Sequence, residues 1–296
     1  MRGITHQASQ AVVNAVIAKS EAGLQYILNN YTLPARWTVI SSGGFFKVIG
    51  DDGDGGGGFI TPEYQAILNY ATGQGYTLPS QAIQDKGNVL VAALLDDGIW
   101  DNLDVFYAFN TDGDADFALI NWKSPGAFIP TTGDLVKTVD GFLAGAASVF
   151  SIDFTPSING VAYQADNAGV VFEILNGDTG LGSDMANQDG THYSLVQLGV
   201  GAVDTFGLNT ANYSTSPSDA NTNGVYLIAR LTGLMKLFKN GNSLSSQSNP
   251  GNGLSIVSPV TFMNSRGGAS YGFMGLSSSL DGKELALSNA WAAYKV

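Results

Sequence analysis

Residues 225–244 read VYLIARLTGLMKLFKNGNSL. VYLIAR and LMKLFK are short apolar runs holding β-branched and aromatic residues, with Thr232-Gly233 between them. Runs of that length bounded by turn residues are the sequence form of strands. The second run ends on Asn240-Gly241, two residues that accept positive φ and so favour the tight turn of a hairpin. Asn242, Ser243 and Leu244 then begin a short polar strand. The stretch predicts three strands in succession.

The pattern continues on both sides, in GFLAGAASVFSIDF (141–154), GVVFEIL (169–175), YSLVQLGV (193–200) and SYGFMGL (270–276). Many short strands at such spacing predict a β-sandwich or barrel over about residues 131–280. Composition agrees: 44% of residues are hydrophobic, 38 are Gly and only 13% are charged, which disfavours long salt-bridged helices. Helical patterns flank the strands. Thr61 is a candidate N-cap before Pro62 at the first helical position, Tyr64, Ile67, Leu68 and Ala71 make one face, and Gly73 and Gly75 stop the helix. A second helix is expected from Ser80 to about Asp97, with Ile83, Leu90, Val91, Leu94 and Leu95 on one side and Gly98 as its stop. LDGKELALSNAWAAYKV (280–296) is helical again, with Leu285, Asn289, Ala292 and Ala293 on one side, placed to close one end of the sandwich.

Between Thr5 and Asn30 the residues Ala8, Val12, Ala15, Val16, Leu24, Ile27 and Leu28 recur at helical spacing. Such a face packs on the body of the chain or on another subunit. Although AVVNAVIA (11–18) is apolar, Asn14 interrupts it and THQASQ precedes it, so it reads as a helix face and not as a signal peptide. WTVISSGGFFKVIG (37–50) is a hairpin pattern, and GDDGDGGGGF (50–59) a flexible connector. The expected division is an N-terminal anchoring and oligomerisation segment (1–58), a small helical module (59–130) and the sandwich (131–296).

Acidic residues number 25 against 13 basic ones, and no Lys or Arg occurs between Lys137 and Arg230. A nucleic-acid partner requires the opposite sign, so DNA and RNA are excluded as principal ligands. No run approaches the ~18 apolar residues that span a membrane. Cysteine is absent, which removes disulfides and thiolate metal sites. NTDGDADFALINW (110–122) places Asp112, Asp114 and Asp116 at alternate positions, as a calcium loop does. The sixth and twelfth positions of that loop must be Gly and Glu, and here they are Phe117 and Lys123. The favoured reading is that Asp114 or Asp116 caps a short helix beginning near Phe117. No metal, cofactor or catalytic residue is expected.

The hairpin 225–244, with its strand ending in Phe-Lys-Asn-Gly, resembles the central hairpin of laminin-G and concanavalin-A-like jelly rolls. YGFMGLSSSLDGKELALSNAW (271–291) resembles them too, as a glycine-bearing last strand leading into a terminal helix. TPEYQAILNYATGQGYTLP through LDVFYAFNTDGDADFALINWKSP (61–125) is similar to a module that precedes such jelly rolls in bacteriophage structural proteins. The resemblance implies a mainly β, jelly-roll fold and a virion surface protein: a head fibre, capsid decoration or tail adhesin, assembled in the host cytoplasm. It would be held to other virion proteins through residues 1–58, as a homo-oligomer, with a trimer favoured. Hydrolases of this fold carry Glu-x-Asp-x-x-Glu on one strand, whereas Glu21, Glu63, Glu173 and Glu284 have no such spacing. Glu173, in GVVFEIL, reads as a carboxylate facing solvent. A non-enzymatic role is therefore expected, against a glycan-degrading alternative. Host-surface polysaccharide is the candidate ligand. NGDTGLGSDMANQDGTHYS (176–194) is expected to be a loop between strands that combines Asp184, Asn187, Asp189, His192 and Tyr193. Hydrogen-bonding groups beside an aromatic face suit a sugar, and a plain exposed turn has the same composition.

Overall fold

The computed structural model describes residues 37–42, 45–50, 60–145, 149–176, 183–188, 193–198, 203–210, 213–218, 222–248, 258–264 and 268–295. The chain forms two compact units, Met1–Ile60 and Thr61–Val296. In the first, β1 (Trp37–Ser42) and β2 (Phe45–Gly50) pair antiparallel, with Trp37 opposite Gly50. This is the expected hairpin; the expected helix over 5–30 and residues 51–59 of the connector lie outside the described residues.

The second unit begins with α1 (Pro62–Gln74) and α2 (Gln81–Asp96), followed by β3 (Leu103–Ala108) and α3 (Ala115–Ala118). Four two-residue strands follow, β4 (Thr131–Thr132), β5 (Val136–Lys137), β6 (Phe142–Leu143) and β7 (Phe150–Ser151), then α4 (Pro156–Asn159). Next come β8 (Ala168–Asn176), β9 (Ser183–Gln188), β10 (Tyr193–Gln197), β11 (Val203–Thr210) and β12 (Ser214–Pro217). The chain continues through β13 (Gly224–Leu231), β14 (Leu234–Lys239), β15 (Asn242–Ser248), β16 (Thr261–Asn264), β17 (Ser270–Ser277) and α5 (Glu284–Tyr294).

Two antiparallel sheets result. One runs β12-β11-β10-β9-β16-β7-β4, and the other β15-β14-β13-β8-β17-β6-β5 with β3 also paired to β17. Their facing sides form one apolar core, to which β8 gives Val170, Phe172 and Ile174, β13 gives Tyr226 and Ile228, and β11 gives Phe206 and Leu208. The strand–turn–strand expectation for 225–244 holds. Asn240 and Gly241 both have positive φ, 50° and 78°, which matches the right-handed twist of the strands they join.

The helices lie over the outer side of the larger sheet. Trp291 of α5 packs on Phe273 of β17 at 4.4 Å between ring centres, and Trp122 links Phe106 of β3 to Tyr64 of α1. Strands covered on both sides are apolar at consecutive positions and do not alternate, as β3 and β17 show. Thr61 caps α1 by accepting from the Tyr64 N–H, Pro62 stands in the first turn, and Tyr64, Ile67, Leu68 and Ala71 are all buried, as expected. Gly73 stays inside the helix, and Gly75, at φ 77°, ends it. In α2 the expected face is buried except for Leu95, which is half-covered. Asp114 caps α3, its Oδ1 accepting from Phe117 N–H at 2.8 Å. Asp112 and Asp114 also accept from Ser80 N–H and Thr77 N–H, tying this turn to the α1–α2 connection.

One expectation needs correction. In α5 the buried residues are Leu287, Ala290, Trp291 and Tyr294, while Leu285, Asn289, Ala292 and Ala293 are exposed. Small residues recur on both faces of this helix, and the rings of Trp291 and Tyr294 decide which face turns inward. β3 falls within the stretch 59–130 that the sequence reading sets apart as a module, and it is hydrogen-bonded to β17 from Leu103 to Ala108, inside the unit Thr61–Val296.

Candidate functional site

The expected loop 176–194 contains a strand. β9 occupies 183–188 in the interior of the smaller sheet, between β10 and β16. Asp184 is accordingly no exposed ligand group. It is 1% exposed, and its carboxylate accepts from Tyr271 O–H of the opposite sheet at 2.6 Å and from Leu198 N–H at 2.8 Å. Asn187 lies opposite Ser194, and Tyr193 opposite Gln188, at the other end of β9. Asp184 is thus separated from them by most of a strand, about 10–14 Å at ~3.4 Å per residue. Asp189 and His192 lie outside the described residues.

The end of the sandwich reached by Gln188 and Tyr193 gathers other side chains. Asp104, the one carboxylate in apolar β3, accepts from three successive N–H groups: Val161, Ala162 and, at 2.7 Å, Tyr163. Three donors converging on an anion fix a turn without regular structure. Tyr163 then enters the core fully buried, its hydroxyl 3.1 Å from Ser194 Oγ on β10. Burial pushes its phenol up to about 12, so it is neutral and can both donate and accept. Asn209, held at φ 50° at the end of β11, donates from its side-chain amide to the Gln164 and Ala165 carbonyls and from its backbone N–H to Ser194 Oγ, 2.9 Å away. Arg230 of β13 is fully buried. Its guanidinium donates to Leu208 O across the sandwich at 2.8 Å and pairs with Asp166 at 3.0 Å.

This network pins residues 160–167 from below and leaves their tip in water. Ile158 is 78% exposed and Val161 82%. Tyr213, just beyond the end of β11 and 43% exposed, belongs to the same end of the sandwich. Val161 is thereby presented on backbone that is held in place, with Ile158 of α4 and Tyr213 at the same end, beside a half-exposed carboxylate. Sequence reading alone misses Tyr163, Asp104 and Asn209. Its available signals are the isolated Asp in LDVFYAF and the turn-forming composition of NGVAYQADN (159–167).

Glu173, expected to face solvent, is fully buried under α5. Trp291 Nε1 donates to its Oε2 at 2.6 Å, and Lys295 forms an ion pair with Oε1. Burial raises its pKa above the ordinary carboxyl value, and the two partners oppose the rise. This carboxylate is closed off by Trp291 and Gly272, whose Cα leaves no room for a side chain beside Oε2. Among the described residues no three His, Asp or Glu side chains gather to hold a metal ion, and no helix is long and apolar enough to cross a membrane.

No protein-family model matches the chain, and no curated protein matches it. Solved structures do. The binding domain of botulinum neurotoxin serotype D superposes with a TM-score of 0.50 at 14% identity, over 67% of this chain and 53% of that one. The receptor binding domain of the C/D mosaic serotype gives 0.49 at 13%, over 64% and 52%. The serotype D ligand binding domain in complex with N-acetylneuraminic acid gives 0.48 at 13%, over 66% and 52%. The chain spans about half the length of these structures. At such identity the first of these likenesses speaks for architecture alone: the chain folds as a mainly β, jelly-roll-like sandwich with helices on one side.

Proposed function

We propose that this protein is a non-enzymatic surface-binding component of a bacteriophage virion, which holds host-surface glycan at the end of the sandwich carrying residues 155–167. The observation that carries the reading is the pinned tip: three N–H groups locked on Asp104 and a buried Tyr163 support the exposed Ile158 and Val161. Apolar groups left in water on rigid backbone, next to a few hydrogen-bonding groups, form a recognition surface that loses little entropy on binding. That the first structural neighbour is itself a toxin's binding domain supports the reading, and the sequence resemblance to phage fibre proteins supplies the virion. Residues 1–58 would join the particle and other copies, in trimers. Multiple copies would raise avidity by ~10²–10⁴ over a single weak site.

The test incubates the purified chain with host cells and with extracted surface polysaccharide. Retention without cleavage is the expected result. Cleavage products would establish the hydrolase reading, and neither retention nor cleavage would leave a purely structural decoration protein. Replacing Val161 by Ala should weaken retention with little change in melting temperature, since its side chain is 82% exposed. The same comparison with Asp189→Ala and Tyr193→Ala shows whether the neighbouring hairpin takes part.

A further inference from the structure

We infer that the glycan held at this end is electrically neutral and not an acidic sugar polymer; the inference rests on the binding reading above and adds the substrate class. Acidic sugars are held by Arg or Lys side chains or by clusters of backbone N–H groups. Among the described residues, each such group at this end already has a protein partner. The three successive N–H groups of Val161, Ala162 and Tyr163 are a ready-made anion nest, and the protein's own Asp104 already fills it. Arg230 is fully buried, with its guanidinium committed to Asp166 and to the Leu208 carbonyl. Lys236, on the neighbouring β14, is paired with Asp281 at 2.8 Å.

The loops between β5 and β13 add no cation, because the sequence holds no Lys or Arg between Lys137 and Arg230, and Lys283, in the turn after β17, donates to the Asp97 carbonyl. Asp153 is exposed just past β7, at this same end, and adds a carboxylate to those of Asp104 and Asp166. A ligand carboxylate within ~7 Å of an exposed Asp is disfavoured about threefold in water, and two such neighbours give about tenfold at low salt. Among the described residues, this end turns to water the apolar surface of Ile158, Val161 and Tyr213 beside the half-exposed Asp166 carboxylate. Those suit the C–H faces and hydroxyl donors of uncharged sugars.

The experiment measures binding of the full chain to immobilised neutral polymers (mannan, galactan and dextran) and acidic ones (polysialic acid and polygalacturonate). It is run at about pH 8, where an ordinary imidazole is uncharged, and at about 0.02 M and 0.5 M salt. A neutral polymer should be held at least about tenfold more tightly than either acidic one at low salt, with the gap narrowing at high salt. Asp153→Lys should strengthen binding of the acidic polymers about threefold to tenfold while leaving the neutral ones unchanged. Acidic polymers bound as tightly as neutral ones, or unaffected by Asp153→Lys, would overturn the neutral class and leave the glycan reading in place. Binding of no polymer at all would overturn both.

Discussion

Replacing Asp104 by Ala removes the acceptor of three N–H bonds at once, and the structure sets the size of the effect. The Val161 N–H is at the surface and turns to water without loss. Those of Ala162 and Tyr163 are half-buried, at 3.0 and 2.7 Å from the carboxylate, and lose a charged acceptor that water replaces only in part. At about 1–1.5 kcal/mol each, the substitution costs about 2–3 kcal/mol. For a unit of this length that is a fall of about 4–12 °C in Tm. Asn at the same position keeps one oxygen and should lose roughly half as much. Because Tyr163 stays anchored in the core, the damage should concentrate in residues 156–162. Limited proteolysis should therefore cut there before global unfolding, and glycan retention should fall more steeply than stability. A variant melting within about 1 °C of the parent, with an unchanged digestion pattern, would refute the claim that Asp104 holds the tip.

Other outcomes follow from the same contacts. Arg230→Ala leaves the buried Leu208 carbonyl without the guanidinium donor and removes the ion pair to Asp166; the half-exposure of Asp166 softens the loss, to about 3 kcal/mol in urea unfolding, and an unaltered midpoint would show the cross-sheet tie to be dispensable. Glu173 has a folded pKa raised above 4.5, so the folded state binds its proton more tightly, and this group contributes stability below about pH 4.5 that is lost as pH rises through the folded value. Glu173→Gln should remove that slope: the parent-minus-variant stability, measured by thermal melts from about pH 4 to 7, should decline with rising pH, and a rising difference would mean that the Lys295 ion pair outweighs burial. Gly272→Ala would drive a Cβ into Glu173 Oε2, forcing the carboxylate away from Trp291; tryptophan fluorescence should report a displaced α5 and urea unfolding a loss above about 2 kcal/mol, and an unperturbed spectrum would contradict the close approach.

Features that depend on a few neighbouring residues were legible in the sequence. Asn240-Gly241 specifies its turn by backbone sterics, Thr61-Pro62 and Gly75 begin and end α1, and Asp114 caps α3, because the physics of each is closed within about four residues. The sandwich followed from the count of such short strands. What the sequence could not show depends on pairing at a distance. SDMANQ and STSP are polar and carry no strand signal, yet they form β9 and β12, since a strand inside a sheet is chosen by the edges on offer and not by its own composition. Asp184 looks like a ligand residue in a loop until Tyr271, far along the chain, donates to it from the other sheet. Glu173 looks solvent-facing until α5 lies over it. Even the inward face of α5 was decided by where the Phe106 and Phe273 rings leave room for Trp291. The sequence alone thus determined the kinds of local element and the absence of Lys and Arg from residues 138–229. Only the tertiary structure decided which polar groups are committed to the protein and which remain for a ligand, because burial and partnership are properties of residues brought together from opposite ends of the chain.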